Sequence, residues 1–285
     1  MSSSEIKNFG IIGWPVGHSL SPQMYMAAFK AAGFTNYNYT LLPTQTGKLY
    51  FAVEGLKGLN FRGVNVTIPH KSTIMQYLDA VDSDAMIIGA VNTVVNDGGI
   101  LTGYNTDVVG FLAALAEANF LLEDCHAIVL GAGGAARAIL WGFCKRRAEY
   151  ITIGARNQQK AEALAKDFLP HGHVEGFDWL SDDFKDLIQS ADILINTTPL
   201  GMFPEVDAMP PVDLKLLPEG ALVYDIIYNP FETKLLRTAK ELGYLTLDGL
   251  SMLLLQGREA YRLYTGELPD LQVMRQALEE GLNLK

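Results

Sequence analysis

The chain has 285 residues, 49% of them hydrophobic and 19% charged. That is length for two domains with a core each, and the composition is too apolar for a disordered protein. A formal net charge of −10 and a pI of about 5.0 speak against a nucleic-acid-binding surface, so an anionic ligand has to be caught by local groups against the overall field. The first residues, Met-Ser-Ser-Ser-Glu-Ile-Lys-Asn, lack the apolar core of a signal peptide. No run approaches the ~20 apolar residues of a membrane span. The expectation is a cytoplasmic, enzyme-like protein with neither a nucleic acid nor a membrane as partner.

In chain order, a short apolar strand is expected at 9–12, closed by Gly13, Trp14 and Pro15. The loop Gly17-His18-Ser19-Leu20-Ser21-Pro22 leads into a helix at 23–32, stopped by Gly33. Serine before proline commonly caps a helix start, and local chemistry favours that reading for Ser19 and Ser21. Two hydroxyls in a strand-to-helix loop can equally bind a small polar ligand. A second strand is expected at 37–42 and a second helix at 47–56. Over 61–71, Val64, Val66 and Ile68 alternate with Asn65 and Thr67, the period of a half-buried strand, and Pro69 ends it. Lys71 therefore lies just past a strand end, where open α/β sheets place ligand-binding groups. Most lysines are solvated surface groups, but a tuned one serves as general acid or base. No cluster of ligands accompanies His70, which reads as a structural neighbour. A β-rich run at 90–95 contains Asn92, either a turn-stabilising residue or a ligand contact. Asn96-Asp97-Gly98-Gly99 has hairpin-turn chemistry. Asp107 stands at the start of a helix expected at 108–118, where it caps that helix or pairs with Lys71 and keeps the amine charged and aimed.

At 128–137 the sequence reads Ile-Val-Leu-Gly-Ala-Gly-Gly-Ala-Ala-Arg. A buried strand, a glycine turn and a helix start make the dinucleotide-binding fingerprint, with Ala136 in its last small position. Gly131 permits the turn, and Gly133 lets the backbone approach a pyrophosphate. The loop of Gly131, Ala132, Gly133, Gly134 and Ala135 then presents N–H groups and the positive helix end to phosphates. After a strand at 150–153, NAD-type folds carry an acid for the ribose. This chain has Gly154-Ala155-Arg156-Asn157 and then Lys160. No carboxylate is present there, and Arg156 and Lys160 can meet a 2′-phosphate, so NADP is the expected cofactor with NAD as the alternative; a solvated surface arginine is the competing reading. Helices at 159–168 and 233–242 and strands at 193–196 and 221–225 continue an alternation that gives a parallel sheet. His171 and His173 read as an ordinary loop pair, not a metal site. Cys125 and Cys144 read as buried thiols. Further helices are expected at 250–263 and 271–282, their Met and Leu residues core by default.

The ordered motifs add up to a resemblance. The loop at 17–22, Asn-Val-Thr-Ile-Pro-His-Lys at 65–71, Gly-Ala-Val-Asn-Thr at 89–93 and Asn-Thr-Asp at 105–107 closely resemble the shikimate dehydrogenase family. So do the glycine loop, Asn-Thr-Thr-Pro-Leu-Gly-Met at 196–202, Tyr-Asn-Pro at 228–230 and the run at 248–257. The likeness covers the chain from about residue 9 onward. It implies an α/β protein of two domains separated by a cleft: a discontinuous substrate domain (1–108 and 250–285) and a Rossmann-type NADP-binding domain (109–249). It also implies reversible NADPH-dependent reduction of 3-dehydroshikimate to shikimate. Lys71 would be the acid or base and Asp107 its paired carboxylate. Ser19, Ser21 and Tyr228 would hold the substrate carboxylate, reversing the capping reading, with Thr67, Asn92 and Gln256 on or near the ring hydroxyls. Thr197, Ile226, Gly249 and Met252 join the glycine loop, Arg156, Asn157 and Lys160 as cofactor-binding positions. The partner is a small cyclohexene carboxylate, the state a monomer or homodimer. Departures from the family's pattern are Ala155 and Asn157 around Arg156, Val108 for a usual Gly, and Tyr25 where His is common. They leave open a paralogue acting on quinate or an aminoshikimate. A non-catalytic ligand sensor on this fold is the other-class alternative, disfavoured by the presence of both Lys71 and Asp107.

Overall fold

The structure is a computed structural model that describes residues 5–284. Among them the chain forms two compact units, one running up to Gly110 and resuming at Leu254, the other Phe111–Leu253. Each is built on a six-stranded sheet.

The first sheet contains β1 (Lys7–Gly13), β2 (Tyr37–Pro43), β3 (Phe61–Val66), β4 (Ala80–Val81), β5 (Thr93–Asp97) and β6 (Ile100–Tyr104), in the order β2-β1-β3-β5-β6-β4. β1 runs parallel to both β2 and β3, whereas β5 is antiparallel to β3 and β6. The hairpin between β5 and β6 falls where its turn chemistry puts it. Gly98 and Gly99 take φ of 60° and 97°, conformations that a side chain disfavours, and Asn96 Oδ1 accepts from the Gly99 N–H at 2.8 Å. Alternation in β3 sends Val64 and Val66 to one face, where they meet Ile12, Val53, Val94 and Leu101 in a core. Helices α1 (Ser21–Ala31), α2 (Leu49–Gly58) and α3 (Ser83–Ile88) link these strands. α4 (Asp107–Glu117) leads out of the sheet.

The second sheet contains β7 (His126–Leu130), β8 (Tyr150–Ala155), β9 (Val174–Asp178), β10 (Ile193–Asn196), β11 (Leu222–Asp225) and β12 (Leu245–Leu247). All its pairings are parallel, in the order β12-β11-β10-β7-β8-β9. This is the doubly wound order, whose reversal point lies between β7 and β10. Between strands run α5 (Gly134–Lys145), α6 (Gln158–Phe168), α7 (Asp182–Ile188) and α8 (Lys234–Glu241); α9 (Gly249–Thr265) and α10 (Leu271–Gly281) close the chain. Ile128, Leu194 and Val223 from the centre of the sheet pack with Phe184, Leu235 and Leu236.

Some expectations change. The segment read as a loop at 170–176 enters β9 at Val174, an edge strand whose mixed Val-Glu-Gly-Phe-Asp pattern hides it. α3, α7 and β12 are too short to generate a periodicity of their own. Neither Ser19 nor Ser21 caps α1: the N-cap residue is Leu20, with no side-chain cap bond. Among the described residues no three His, Cys, Asp or Glu side chains gather as metal ligands, and no helix is long and apolar enough to cross a membrane. His171 and His173 instead meet Trp141 and Tyr150 through ring contacts. Both cysteines are free. Burial pushes the Cys125 thiol up to about 12 and the half-buried Cys144 up to about 11.

β9 packs under α6 over a missing side chain, since a Cβ on Gly176 would overlap the Ala161 backbone. Backbone cannot yield as a side-chain tip can. Gly176→Ala is therefore expected to lose about 1–3 kcal/mol of stability, read as a lower urea midpoint; an unchanged midpoint would contradict this packing.

Candidate active site

In the first unit, Lys71, Asp107, Asn92 and Gln256, among the polar residues expected at the site, come together. β3 stops before Pro69, and the chain turns as the His70 N–H donates to the Thr67 carbonyl at 2.9 Å. Lys71 then faces α4. Its Nζ donates to Asp107 Oδ2 at 2.5 Å, and the two side chains are only 17% and 9% exposed, so little water screens the pair. Asp107 is the first residue of α4, yet its carboxylate turns to Lys71 and Asn92. The first N–H of the helix is met by Asn105, whose Oδ1 accepts from the Asp107 N–H at 3.0 Å.

Asn92 is 3% exposed and is held on both sides of its amide. Oδ1 accepts from the Thr106 N–H at 2.8 Å and the Thr93 hydroxyl at 2.9 Å. That leaves Nδ2 to donate to Asp107 Oδ1 at 2.8 Å, Thr106 Oγ1 at 2.9 Å and Gln256 Oε1 at 3.4 Å. Lys71, Asp107, Asn92 and Gln256 are thus one hydrogen-bonded constellation. Thr67 follows β3 directly, its N–H donating to the Ile12 carbonyl of β1 at 2.9 Å and its methyl filling the place of a Gly13 side chain. Ser19 follows β1, and its Oγ accepts from the Ser21 N–H at 3.3 Å. His70 is fully buried, with Nε2 2.6 Å from the Thr44 carbonyl, a structural neighbour as expected. Sequence reasoning misses Tyr39, Asn65, Thr93 and Thr106 as members of this polar network. Their one signal is polar residues recurring at buried strand positions.

The second unit carries the other group. Gly131 has φ of 110°, and a Cβ there would lie 2.7 Å from Thr197 Oγ1. The loops after β7 and β10 therefore meet at the reversal point of the sheet. The Thr197 hydroxyl anchors this contact on the Leu130 carbonyl at 2.6 Å. Gly133 precedes α5 with no side-chain cap, and a Cβ there would meet nothing within 4 Å. Unfilled space beside uncapped helix N–H groups fits a phosphate-bearing cofactor. After β8, Arg156, Asn157, Gln158, Gln159 and Glu162 line an open polar pocket of about 500 Å³. Asn157 Oδ1 also caps α6 by accepting from the Lys160 N–H at 3.0 Å, and Lys160 is exposed beside that pocket. Gly249 packs against Ile226, whose backbone a Cβ at that position would overlap. Met252 is buried. Tyr228 is half-buried, and burial raises its phenol to about 12, so it remains a hydrogen-bond donor at neutral pH.

Residues 11–94 match the shikimate dehydrogenase substrate binding domain, 114–200 the shikimate / quinate 5-dehydrogenase family and 249–279 the shikimate 5′-dehydrogenase C-terminal domain. The chain belongs to the shikimate dehydrogenase family. It is 44% identical to shikimate dehydrogenase (NADP(+)) of Methanothermobacter thermautotrophicus over 96% of each chain. It is 45% identical to that of Carboxydothermus hydrogenoformans, covering 97% of this chain and 98% of the relative. Among solved structures it resembles shikimate 5-dehydrogenase of Thermus thermophilus in complex with NADP(H) and shikimate. That likeness has a TM-score of 0.86 at 36% identity, over 97% of this chain and 100% of the other.

One buried group in the second unit has no counterpart in the family motifs read from sequence. Asp225, fully buried, accepts from Asn196 Nδ2 at 3.0 Å, the Ile227 N–H at 3.1 Å and the Thr233 hydroxyl at 2.7 Å. Burial pushes its carboxyl up to about 6 despite these donors. A folded pKa above the unfolded value near 4 means that the folded state holds the extra proton between those values. This group's contribution to stability is then full below about pH 4 and lost as pH rises through about 6. The loss is on the order of 3 kcal/mol at about 1.4 kcal/mol per unit. Asp225→Asn should remove that part of the pH dependence, measured as urea midpoints from about pH 4 to pH 7; identical slopes for both proteins would contradict it.

Proposed function

We propose that this protein is an NADP-dependent oxidoreductase of the CH–OH group that interconverts 3-dehydroshikimate and shikimate. The first unit holds the substrate and the second the nucleotide. The observation that carries this reading is the Lys71–Asp107 pair joined to Asn92 and Gln256, in a chain whose close relatives bear that activity by name. The open space at Gly133 beside the uncapped start of α5 and the arginine-lined pocket after β8 support NADP as the cofactor. We place it in the cytoplasm, a compartment in which unpaired thiols such as those of Cys125 and Cys144 persist.

When bound, NADPH would supply the hydride for the ring carbonyl carbon in the reducing direction. Everything else falls to side chains. Lys71 donates a proton to the oxygen on which charge develops, so carbonyl, hydride and proton become a secondary alcohol. In the oxidising direction Lys71 removes the hydroxyl proton as hydride leaves. Its ammonium also lowers the energy of the negative oxygen in a site with little screening. Asp107 aims the amine and accepts a substrate hydroxyl, while Asn92 fixes Asp107. Ser19, Ser21 and Tyr228 donate to the substrate carboxylate, a neutral means of holding an anion in an acidic protein. Thr67 and Gln256 take the remaining ring hydroxyls. A bound dinucleotide would be held at its pyrophosphate by Gly131 to Ala135 and at its 2′-phosphate by Arg156, Asn157 and Lys160. Thr197, Ile226, Gly249 and Met252 would hold its nicotinamide end.

Lys71→Ala should lower turnover of shikimate by at least roughly 10²-fold, the low end for general acid–base catalysis, with dissociation of shikimate changed only a few-fold. Steady-state rates and a binding titration test this together, and wild-type turnover in the variant would refute the role. Arg156→Gln should raise KM for NADPH about tenfold or more, the effect of losing one charge-assisted phosphate contact, and leave KM for NADH nearly unchanged. Equal changes for both cofactors would place the 2′-phosphate elsewhere.

A further inference from the structure

Behind the constellation around Lys71 a row of polar side chains continues inward, and nothing in the functional reading yet uses it. Tyr39, Asn65, Thr93 and Asn92 are 4%, 5%, 0% and 3% exposed, so water cannot stand in for a missing partner. The Tyr39 hydroxyl donates to Asn65 Oδ1 at 2.8 Å. Asn65 Nδ2 donates to Thr93 Oγ1 at 3.2 Å and to the Asn92 carbonyl at 3.4 Å. Thr93 Oγ1 donates to Asn92 Oδ1 at 2.9 Å, and Asn92 Nδ2 donates to Asp107 Oδ1 at 2.8 Å. Every bond in the row points the same way, from phenol to carboxylate.

The sheet builds this row. Asn65 on β3 stands directly opposite Thr93 on β5. Leu41 on β2 and Asn65 on β3 both flank Ile11, and Tyr39 lies two places from Leu41 on the same face. From α1, Tyr25 stacks on Tyr39 with ring centroids 4.5 Å apart and planes at 10°. The Tyr25 hydroxyl donates to the carbonyl of Gly257, next to Gln256, at 3.1 Å. Burial, with the neighbouring Tyr25 phenol, raises the Tyr39 phenol well above its ordinary range. A phenol held protonated is a permanent donor. It stands at the head of the row that ends on Asn92 and Asp107.

We propose that Tyr39 is a positioning residue for the substrate site. Its hydroxyl fixes the Asn65 amide, and through Thr93 and Asn92 the Asp107 carboxylate that aims Lys71. This rests on the functional reading above. An asparagine amide fits its site in two orientations. The Tyr39 proton requires oxygen on one side, and the Asn92 carbonyl requires nitrogen on the other. With the hydroxyl removed, Asn65 Oδ1 becomes a buried acceptor without that donor, and relieving it disturbs Thr93 and Asn92 in turn.

Tyr39→Phe keeps the stacked ring and deletes only the hydroxyl. Its kinetics with shikimate and NADP+ are compared with those of the wild type and of Tyr261→Phe, which removes a buried hydroxyl lacking a hydrogen bond among the described residues. The expected result for Tyr39→Phe is a KM for shikimate about tenfold higher, the scale of one buried acceptor left without its donor, and a kcat several-fold lower, with KM for NADP+ unchanged. Tyr261→Phe should retain wild-type constants. Because the two residues act in series, Tyr39→Phe added to Asn65→Ala should cost no further kcat/KM. Wild-type constants in Tyr39→Phe, or a loss confined to Tm, would overturn the proposal, as would full additivity with Asn65→Ala. A wild-type enzyme inert toward shikimate would instead overturn the functional reading itself.

Discussion

The first unit depends on one ion pair, Lys71 to Asp107 at 2.5 Å, with both side chains mostly withdrawn from solvent. Taking two charges out of water is costly. A buried pair often contributes less to stability than apolar side chains of the same size would. Stability alone therefore gives the chain little reason to keep it. The reason lies in what the surroundings do with it: Asn92 donates to the carboxylate oxygen that Lys71 leaves open, and Asn105 supplies the helix start with the acceptor that Asp107 does not. The carboxylate is thereby reserved for aiming an amine.

Backbone geometry places this pair. Lys71 follows the cut-off of β3, Asp107 opens α4, and Asn92 precedes β5, which is hydrogen-bonded between β3 and β6. The second unit uses the same economy of position differently. Its all-parallel sheet reverses winding between β7 and β10, and there Gly131 and Thr197 touch across adjoining loops. Space at Gly133 and uncapped N–H groups at α5 follow from where the sheet reverses, as a doubly wound fold requires. The exposed residues after β8, Arg156 among them, line an open polar pocket in the same unit.

Much of this is legible in the sequence because the relevant signals are local. Alternation in β3 locates Lys71, the glycine run marks the nucleotide loop, and the paired glycines at 98 and 99 mark the hairpin. What stays hidden depends on partners far along the chain. Ser19 and Ser21 have the composition of a helix cap, yet Leu20 occupies that position. Asn65 looks like an ordinary polar strand residue until Tyr39 and Thr93 are seen beside it. Asp225 reads as a strand terminus, while the donors to its buried carboxylate come from residues 29 and 8 positions away. Short elements such as α7 and β12 carry too few residues for a period to emerge.

The most direct measurement is a double-mutant cycle on the ion pair, with kcat/KM for shikimate determined for Lys71→Met, Asp107→Asn and the two combined. If Asp107 acts on chemistry by aiming Lys71, the combined variant loses little more than Lys71→Met alone. Losses that multiply in full would show two independent contributions and contradict the account.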